Sequence, residues 1–284
     1  MKLVRTIADV RAARGGLAGL GLVPTMGFLH EGHLSLVRRA KAECGNAAVS
    51  IFVNPTQFAP HEDFTRYPRA LEQDLERVDA AGADLVFAPE AAEIYPQGFD
   101  TRIDVGQVAT RLEGAVRPHH FGGVATVVAK LLNITQPTRA YFGQKDAQQC
   151  VVIRQLVRDL DIPCEIVVCP TVREADGLAM SSRNAYLTPD QRTHASVLYR
   201  ALKAAEARYL AGETRADVLR AAVHETLAEA AADGVDYVSL ADPDTLEELE
   251  AARGGALVSL AVRFGATRLI DNLHLPERMA QQRA

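Results

Sequence analysis

The chain has 284 residues, 48% hydrophobic and 24% charged, a globular composition that excludes a disordered or collagen-like polymer. Its formal charge is −5, from 31 basic and 36 acidic side chains, so no global positive field draws it to nucleic acid or to an anionic membrane. Any anionic ligand is handled locally.

The four cysteines, Cys44, Cys150, Cys164 and Cys169, form no CxxC pair. The opening MKLVRTIADVRAARGG has no apolar signal core, and no apolar run approaches the ~20 residues of a membrane helix, VATVVAKLL being broken by Lys130. A cytoplasmic protein with no nucleic-acid or membrane partner is expected.

In chain order, short apolar runs alternate with helix-length amphipathic stretches: LGLVP, LSLVRRAKAEC, AAVSIFVNP, ALEQDLERVDAAG and ADLVFAP, with Pro24 expected to stop the first of these strands. The rhythm resumes with GGVATVVAKLLN, RAYFGQ, DAQQCVVIRQLVRDL and CEIVVCPTV. Valine-, isoleucine- and phenylalanine-rich strands separated by helices predict an α/β fold, a Rossmann-like, doubly wound parallel sheet. Ligands in such sheets bind outside the carboxyl ends of the strands, which directs attention to the loops after Val23, Val53 and Phe142.

Beyond Val172 the pattern changes. A polar segment, READGLAMSSRNAYLT, precedes two alanine-rich helical stretches, from Pro189 to about Gly212 and from Arg215 to about Ala232. Thr188, Pro189 and Gln191 spell a capping box with proline in the first helical position. The runs VDYVSLADP, ALVSLAVRFG and TRLIDNLHL read as strands. The expected organisation is a catalytic domain over 1–172 and a smaller α+β lid domain over 173–284, with a hinge near Val172.

Three segments carry chemistry. In PTMGFLHEGHLSLV a strand gives way to a helix; Gly27 and Gly32 let backbone approach a ligand, and His30 and His33, three apart, share a helix face and can both reach a phosphate chain. A zinc site is a weaker reading, because HEGH lacks the HExxH spacing, and a GxGxxG dinucleotide fingerprint is absent. GQKD, Gly143 to Asp146, has the same strand-to-helix setting: Lys145 can reach a phosphate, and Asp146 can cap the helix or accept from a ribose hydroxyl. Met180, Ser181, Ser182 and Arg183 offer two hydroxyls and a cationic fork, equally compatible with a solvated linker.

HEGH after the first strand and MSSR after the last resemble the HIGH and KMSKS pairing of the nucleotidyltransferase superfamily that includes class I aminoacyl-tRNA synthetases. More closely, PTMGFLHEGHLSLV, SIFVNPTQF, DFTRYPR, RPHHFGGVATVVAKLLN, YFGQKDAQQ and MSSRN, in this order, resemble the pantothenate synthetase family. The resemblance implies ATP-dependent condensation of pantoate with β-alanine through a pantoyl adenylate, with Mg²⁺ required and AMP and pyrophosphate released, in a homodimer.

By the same resemblance, ATP binding falls on Met26, Gly27, Phe28, Leu29, His30, Glu31, Gly32 and His33, on Gly143, Gln144, Lys145 and Asp146, and on Val172, Met180, Ser181, Ser182 and Arg183. His33 takes the catalytic role, as proton donor or as charge stabiliser, with His30 beside the phosphates. Pantoate falls to Gln57 and Gln149, and Asp74 is the candidate for Mg²⁺, against a solvated helical acid. Arg117 is a possible cleft residue, His119 replaces a frequent family glycine, and His61 varies a lid-like loop. Competing functions are an adenylyltransferase that leaves AMP on its product, a truncated aminoacyl-tRNA synthetase and a nucleotide-binding regulator.

Overall fold

The structure, a computed structural model, describes residues 1–60, 62–230 and 232–277. It divides into two compact units at Thr171/Val172, one residue before the expected boundary.

The first unit is built on β1 (Lys2–Val4), β2 (Leu20–Thr25), β3 (Asn46–Ile51), β4 (Leu85–Phe87), β5 (Arg139–Gly143) and β6 (Glu165–Cys169), in the order β1-β4-β3-β2-β5-β6. Every adjacent pair is parallel. The crossovers carry α2 (Glu31–Cys44), α3 (Leu71–Ala80), α6 (His120–Thr135) and α7 (Ala147–Asp159), with α1 (Ile7–Arg14), α4 (Ala91–Ile94) and α5 (Glu113–Val116) between them. Leu20, Leu22, Val23, Val49 and Val86 are buried almost completely, as strands covered on both faces must be. The edge strand β1 and helix α1 have no counterpart among the predicted elements, because KLV is too short for a periodic signal.

The strand order reverses between β2 and β5, and there the sheet opens. The ladder between them covers only Gly21–Leu22 against Arg139–Ala140, whereas β2 pairs with β3 along its full length. Pro24 does not end β2, contrary to expectation; the strand continues to Thr25, with Pro24 in register with Ser50. The carbonyl of Thr25 accepts from Phe52 on the β3 side and that of Leu20 from Thr138 on the β5 side, so alternation turns the nitrogen of Pro24 toward β5. A residue without an N–H is tolerated there because no ladder bond is required beyond Leu22. The crevice begins at that proline.

The second unit packs α8 (Pro189–Ala195), α9 (Val197–Leu210) and α10 (Ala216–Leu227) on an antiparallel sheet of β7 (Gly234–Ala241), β8 (Ala256–Phe264) and β9 (Thr267–Leu275). Leu198, Leu202, Tyr209, Leu219, Leu260 and Phe264 form part of its core. The Thr188 hydroxyl accepts from the Gln191 amide at 3.3 Å, and the Gln191 carboxamide accepts from the Thr188 amide at 3.0 Å, the capping box that the spacing predicts. The stretch expected as one helix to about Gly212 is divided at Ser196, and α10 ends at Leu227, short of Ala232. Among the described residues no helix is long and apolar enough to cross a membrane.

Candidate active site

The loop leaving β2 turns through two consecutive left-handed residues, Gly27 at φ 83° and Phe28 at φ 51°. The second is unusual for a side chain of that size and needs external support. Helix α2 then starts at Glu31 with His30 as its N-cap in extended conformation. The His33 amide already donates to the His30 carbonyl at 2.8 Å, so the Glu31 and Gly32 amides are the ones that precede the first bond of the helix.

His33 occupies the third helical position, and its ring reaches back so that Nδ1 accepts from the His30 backbone N–H at 3.3 Å. This is the place a glutamate or glutamine takes in a capping box. An Nδ1 that accepts carries no proton, so the neutral ring holds its hydrogen on Nε2. The rings of His30 and His33 lie 4.1 Å apart, centroid to centroid, tilted by 39°. Burial, then the neighbouring His30, and more weakly Lys145, pull the His33 pKa down to about 3, with Asp146 acting in the opposite sense. Near neutral pH, His33 is therefore an uncharged hydrogen-bond donor through Nε2.

The electrostatic reach of Lys145 and Asp146 to His33 places the GQKD segment beside HEGH. Gly143 ends β5, Gln144–Asp146 form a single 3₁₀ turn, and α7 starts at Ala147. A Cβ at Gly143 would meet nothing within 4 Å, so backbone faces open space at this rim. Lys145 Nζ is 3.2 Å from Asp146 Oδ1.

Gln57 sits in the 3₁₀ turn Pro55–Gln57 that follows β3, and it is buried rather than an ordinary loop residue. Its Oε1 accepts from Asn54 Nδ2 at 3.0 Å, and its Nε2 lies 3.1 Å from Met26 Sδ, which joins it to the loop after β2. Asn54, fully buried, also donates to the Gly123 carbonyl at 3.1 Å and accepts from Tyr95 Oη at 2.8 Å. A Cβ on Gly123 would stand 2.4 Å from the Thr56 carbonyl oxygen and 2.7 Å from the Gln57 nitrogen, so α6 meets this turn backbone to backbone. Asn54, Tyr95 and Gly123 were not singled out in the sequence, although NPTQF and HFGGV were its informative segments.

Arg117 is not merely exposed: it clamps Glu62 through Nε and Nη2 at 2.5 and 2.7 Å. His120 Nδ1 donates to the Gln57 carbonyl at 3.0 Å, and burial together with Arg117 lowers its pKa to about 4. His119 is exposed and is the N-cap of α6. His61 lies outside the described residues. On α7 the neighbouring glutamines divide: Gln148 is buried and donates to the carbonyls of Val108 and Arg111 at 2.9 and 2.6 Å, whereas Gln149 keeps a partly open face.

Asp74, the candidate metal ligand, is 1% exposed rather than solvated. Its Oδ2 accepts from the Phe28 amide at 2.8 Å and its Oδ1 from the Leu29 amide at 2.7 Å. Among the described residues no group of three or more histidine, cysteine, aspartate or glutamate side chains is arranged to hold a metal ion.

In the second unit, Val172 accepts through its carbonyl from the Met180 amide at 3.0 Å, the neck of a small antiparallel turn bridged at Arg173 and Ala179. Arg173 holds this turn by a bidentate pair with Asp271 at 2.6 and 3.0 Å while its guanidinium lies 4.0 Å from the Tyr199 ring centroid. Ser181 caps the short turn Ser182–Tyr186, its hydroxyl accepting from the Arg183 amide at 3.3 Å. Asn184 ties that turn to Glu174 and to the Ala179 carbonyl, each at 3.1 Å. Ser182 is buried, and Met180, Ser181 and Arg183 are partly exposed.

The family model of pantoate-beta-alanine ligases matches residues 2–274. The chain is 62% identical to a pantothenate synthetase of Herpetosiphon aurantiacus over 96% of its own length and 99% of that protein's. It is 61% identical to one from Roseiflexus sp. strain RS-1, at 96% and 98% coverage. A crystal structure of pantothenate synthetase from Thermus thermophilus superposes with a TM-score of 0.94 at 50% identity, covering 97% of this chain and all of that one. A Francisella tularensis pantoate-beta-alanine ligase complexed with beta-gamma ATP and beta-alanine superposes with a TM-score of 0.80 at 37% identity, covering 96% and 97%. The two segments at the β2/β5 opening thus stand in a scaffold shared along nearly the whole chain, and the protein belongs to the pantoate-beta-alanine ligase family.

Proposed function

We propose that the protein condenses pantoate with β-alanine at the expense of ATP, through a pantoyl adenylate. The observation that carries the reading is the meeting of HEGH and GQKD where β2 and β5 part, with a neutral His33 whose Nε2–H is the ring's remaining donor. A pantoate carboxylate oxygen attacks the α-phosphorus of ATP, the bond from that phosphorus to the bridging oxygen breaks, and pyrophosphate leaves. The developing negative charge on the phosphate oxygens is met by the His33 N–H, the amides of the first turn of α2, and Lys145. The amine of β-alanine then attacks the acyl carbon, the bond from that carbon to the AMP oxygen breaks with its electron pair leaving on AMP, and the amine's proton passes to water. No enzyme nucleophile is needed. That agrees with the burial of Cys150, Cys164 and Cys169, the Cys164 thiol being pushed up to about 12 by burial.

Gln57 and Gln149 bind pantoate in this scheme, since a carboxamide both donates and accepts and suits a ligand with two hydroxyls and a carboxylate. Asn54 and Tyr95 fix the carboxamide of Gln57, directly and in turn. Val172 and Met180 to Arg183 bind ATP in this scheme, the segment offering two hydroxyls and a cationic fork. Mg²⁺ enters with ATP as part of the substrate, because Mg²⁺ keeps most of its shell as water and phosphate oxygen. A resident ion on Asp74 does not fit, the carboxylate being 1% exposed with a backbone amide on each oxygen and no group of three metal-ligating side chains standing among the described residues. The enzyme works as a homodimer in the cytoplasm, a setting suited to its four free cysteines.

Incubation with ATP, Mg²⁺, pantoate and β-alanine, each omitted in turn, tests the reading. AMP, pyrophosphate and pantothenate are expected only from the complete mixture, and pyrophosphate with an enzyme-held adenylate when β-alanine is left out. AMP retained in the final product would point to an adenylyltransferase, and ATP binding without turnover to a regulator.

A further inference from the structure

The loop Met26–Leu29 presents two of its amides, those of Phe28 and Leu29, to an anion, and the anion is the protein's own. Successive backbone N–H groups in a turn can form a concave nest that binds negative charge. The left-handed residues Gly27 and Phe28 make such a turn, and the amides of Phe28 and Leu29 converge on the Asp74 carboxylate at 2.8 and 2.7 Å. We infer that Asp74 is the positioning residue of the ATP loop: its carboxylate fills the nest, fixes the left-handed turn, and so sets where His30 and His33 begin.

Independent features of the packing agree. Asp74 lies in the first turn of α3, where a carboxylate is favoured by the helix dipole, and it is 1% exposed. One turn later Arg77 donates through Nη1 to the carbonyl of Leu29, so α3 grips both sides of one peptide segment. Leu29 is itself buried in the same core as Val78 of α3. Gly27 leaves room for the carboxylate, since a Cβ there would stand 3.1 Å from Asp74 Oδ2 and 3.2 Å from Ile51 Cγ2. His30 follows Leu29 directly, so any rotation of the loop moves the helix start. It follows that the Phe28 and Leu29 amides are unavailable to ATP, and the phosphates are left to the start of α2, His33 and Lys145.

This inference rests on the proposed ATP reaction, and the test separates the two. ATP binding to the wild type and to Asp74→Asn is measured by calorimetry, once with Mg²⁺ and once in excess chelator, alongside pantoate binding and thermal melting. Asparagine keeps the shape but offers one acceptor where two are used. Losing one charge-assisted bond weakens ATP binding by about ten- to a hundredfold, equally with and without Mg²⁺, while pantoate affinity stays within about twofold of wild type. Hydrogen exchange at the Phe28 and Leu29 amides, slow in the wild type, becomes fast at one or both.

A deficit seen only with Mg²⁺ would make Asp74 a metal ligand and overturn the inference, as would unchanged ATP binding or unchanged exchange. A wild type that fails to bind ATP would instead sink the proposed function, with the exchange result still judging the clamp. If Asp74→Asn does not fold, Gly27→Ala keeps the carboxylate but pushes the loop from it. The same metal-independent loss is then expected, and its absence refutes the clamp.

Discussion

His33 offers two mechanisms that differ in one measurable slope. The fall of its pKa from 6.5 to about 3, at about 1.4 kcal/mol per unit, sets the cost of protonating the folded ring on the order of 5 kcal/mol. At neutral pH the imidazolium is then on the order of one molecule in ten thousand. A reaction that needed this cation would slow about tenfold for each unit of rising pH, whereas a neutral Nε2–H donor gives a flat rate.

The assay is rapid-quench measurement of pantoyl adenylate formation in a single turnover, from about pH 7 to about pH 8.5, above the last ionisation of ATP. A flat wild-type profile is expected. His33→Ala lowers the plateau by about 2.7–4 kcal/mol, or roughly a hundred- to a thousandfold, with pantoate affinity retained. His33→Gln, which keeps an N–H near the same place, loses less. An acid-rising slope near one in the wild type, absent from His33→Gln, would refute the neutral-donor reasoning and restore the proton donor.

Gly123→Ala places a methyl against the Thr56 carbonyl and Gln57 nitrogen at 2.4 and 2.7 Å; overpacking of about 1–3 kcal/mol exceeds the roughly 1 kcal/mol gained in helix propensity. A lower melting temperature and a raised KM for pantoate, with KM for ATP little changed, are expected. Arg183→Ala raises KM for ATP about tenfold, a typical loss for one charged hydrogen bond, and leaves KM for pantoate unaltered. Acid stability tests the buried imidazoles. His33 and His120 have folded pKa values of about 3 and about 4, below the unfolded 6.5, so their contribution is complete above pH 6.5, is lost progressively as pH falls below it, and is gone once pH has fallen through the folded values. By pH 5 each has lost on the order of 1–2 kcal/mol, seen as a falling melting temperature that His120→Gln makes shallower.

The parallel sheet was legible because its strands are apolar runs bounded by turns, and burial on both faces writes that pattern directly. The helix starts at HEGH and TPDQ were legible for a similar reason, since capping is local chemistry within four residues. What escaped was set by distance along the chain. Nothing in LEQDLERV distinguishes Asp74 from a solvated acid, because the amides that engage it lie 45 and 46 residues earlier. Gln148 and Gln149 are neighbours of one type, and only the packing of α7 on the Val108–Arg111 segment turns the first inward and leaves the second partly open. Pro24 read as a strand end because proline lacks an N–H, yet the neighbouring strand that would have needed it turns away.

The proposed reaction asks a chain of charge −5 to handle ATP, pantoate and pyrophosphate, all of them anions. One way would be a bank of cations, but the first unit's candidate site contains Lys145 beside Asp146, a neutral His33 and an anionic side chain already seated in the loop nest. Cations at close range would grip ATP, the adenylate and the departing pyrophosphate alike, and uniform binding does not accelerate a chemical step. Uncharged donors held in fixed directions act most where charge grows, on the oxygens of the α-phosphate as its bond to pyrophosphate breaks. In the proposed reaction Lys145 acts as a point charge toward phosphate; its effect on His33 is to lower the pKa, more weakly than Asp146 raises it, so burial and His30 are what keep the ring unprotonated. The Asp74 carboxylate is held by the Phe28 and Leu29 amides, and in the proposed reaction this divides the labour: the anion that needs no turnover stays on backbone amides, while the anion that must react and leave is left to the helix start and the imidazole.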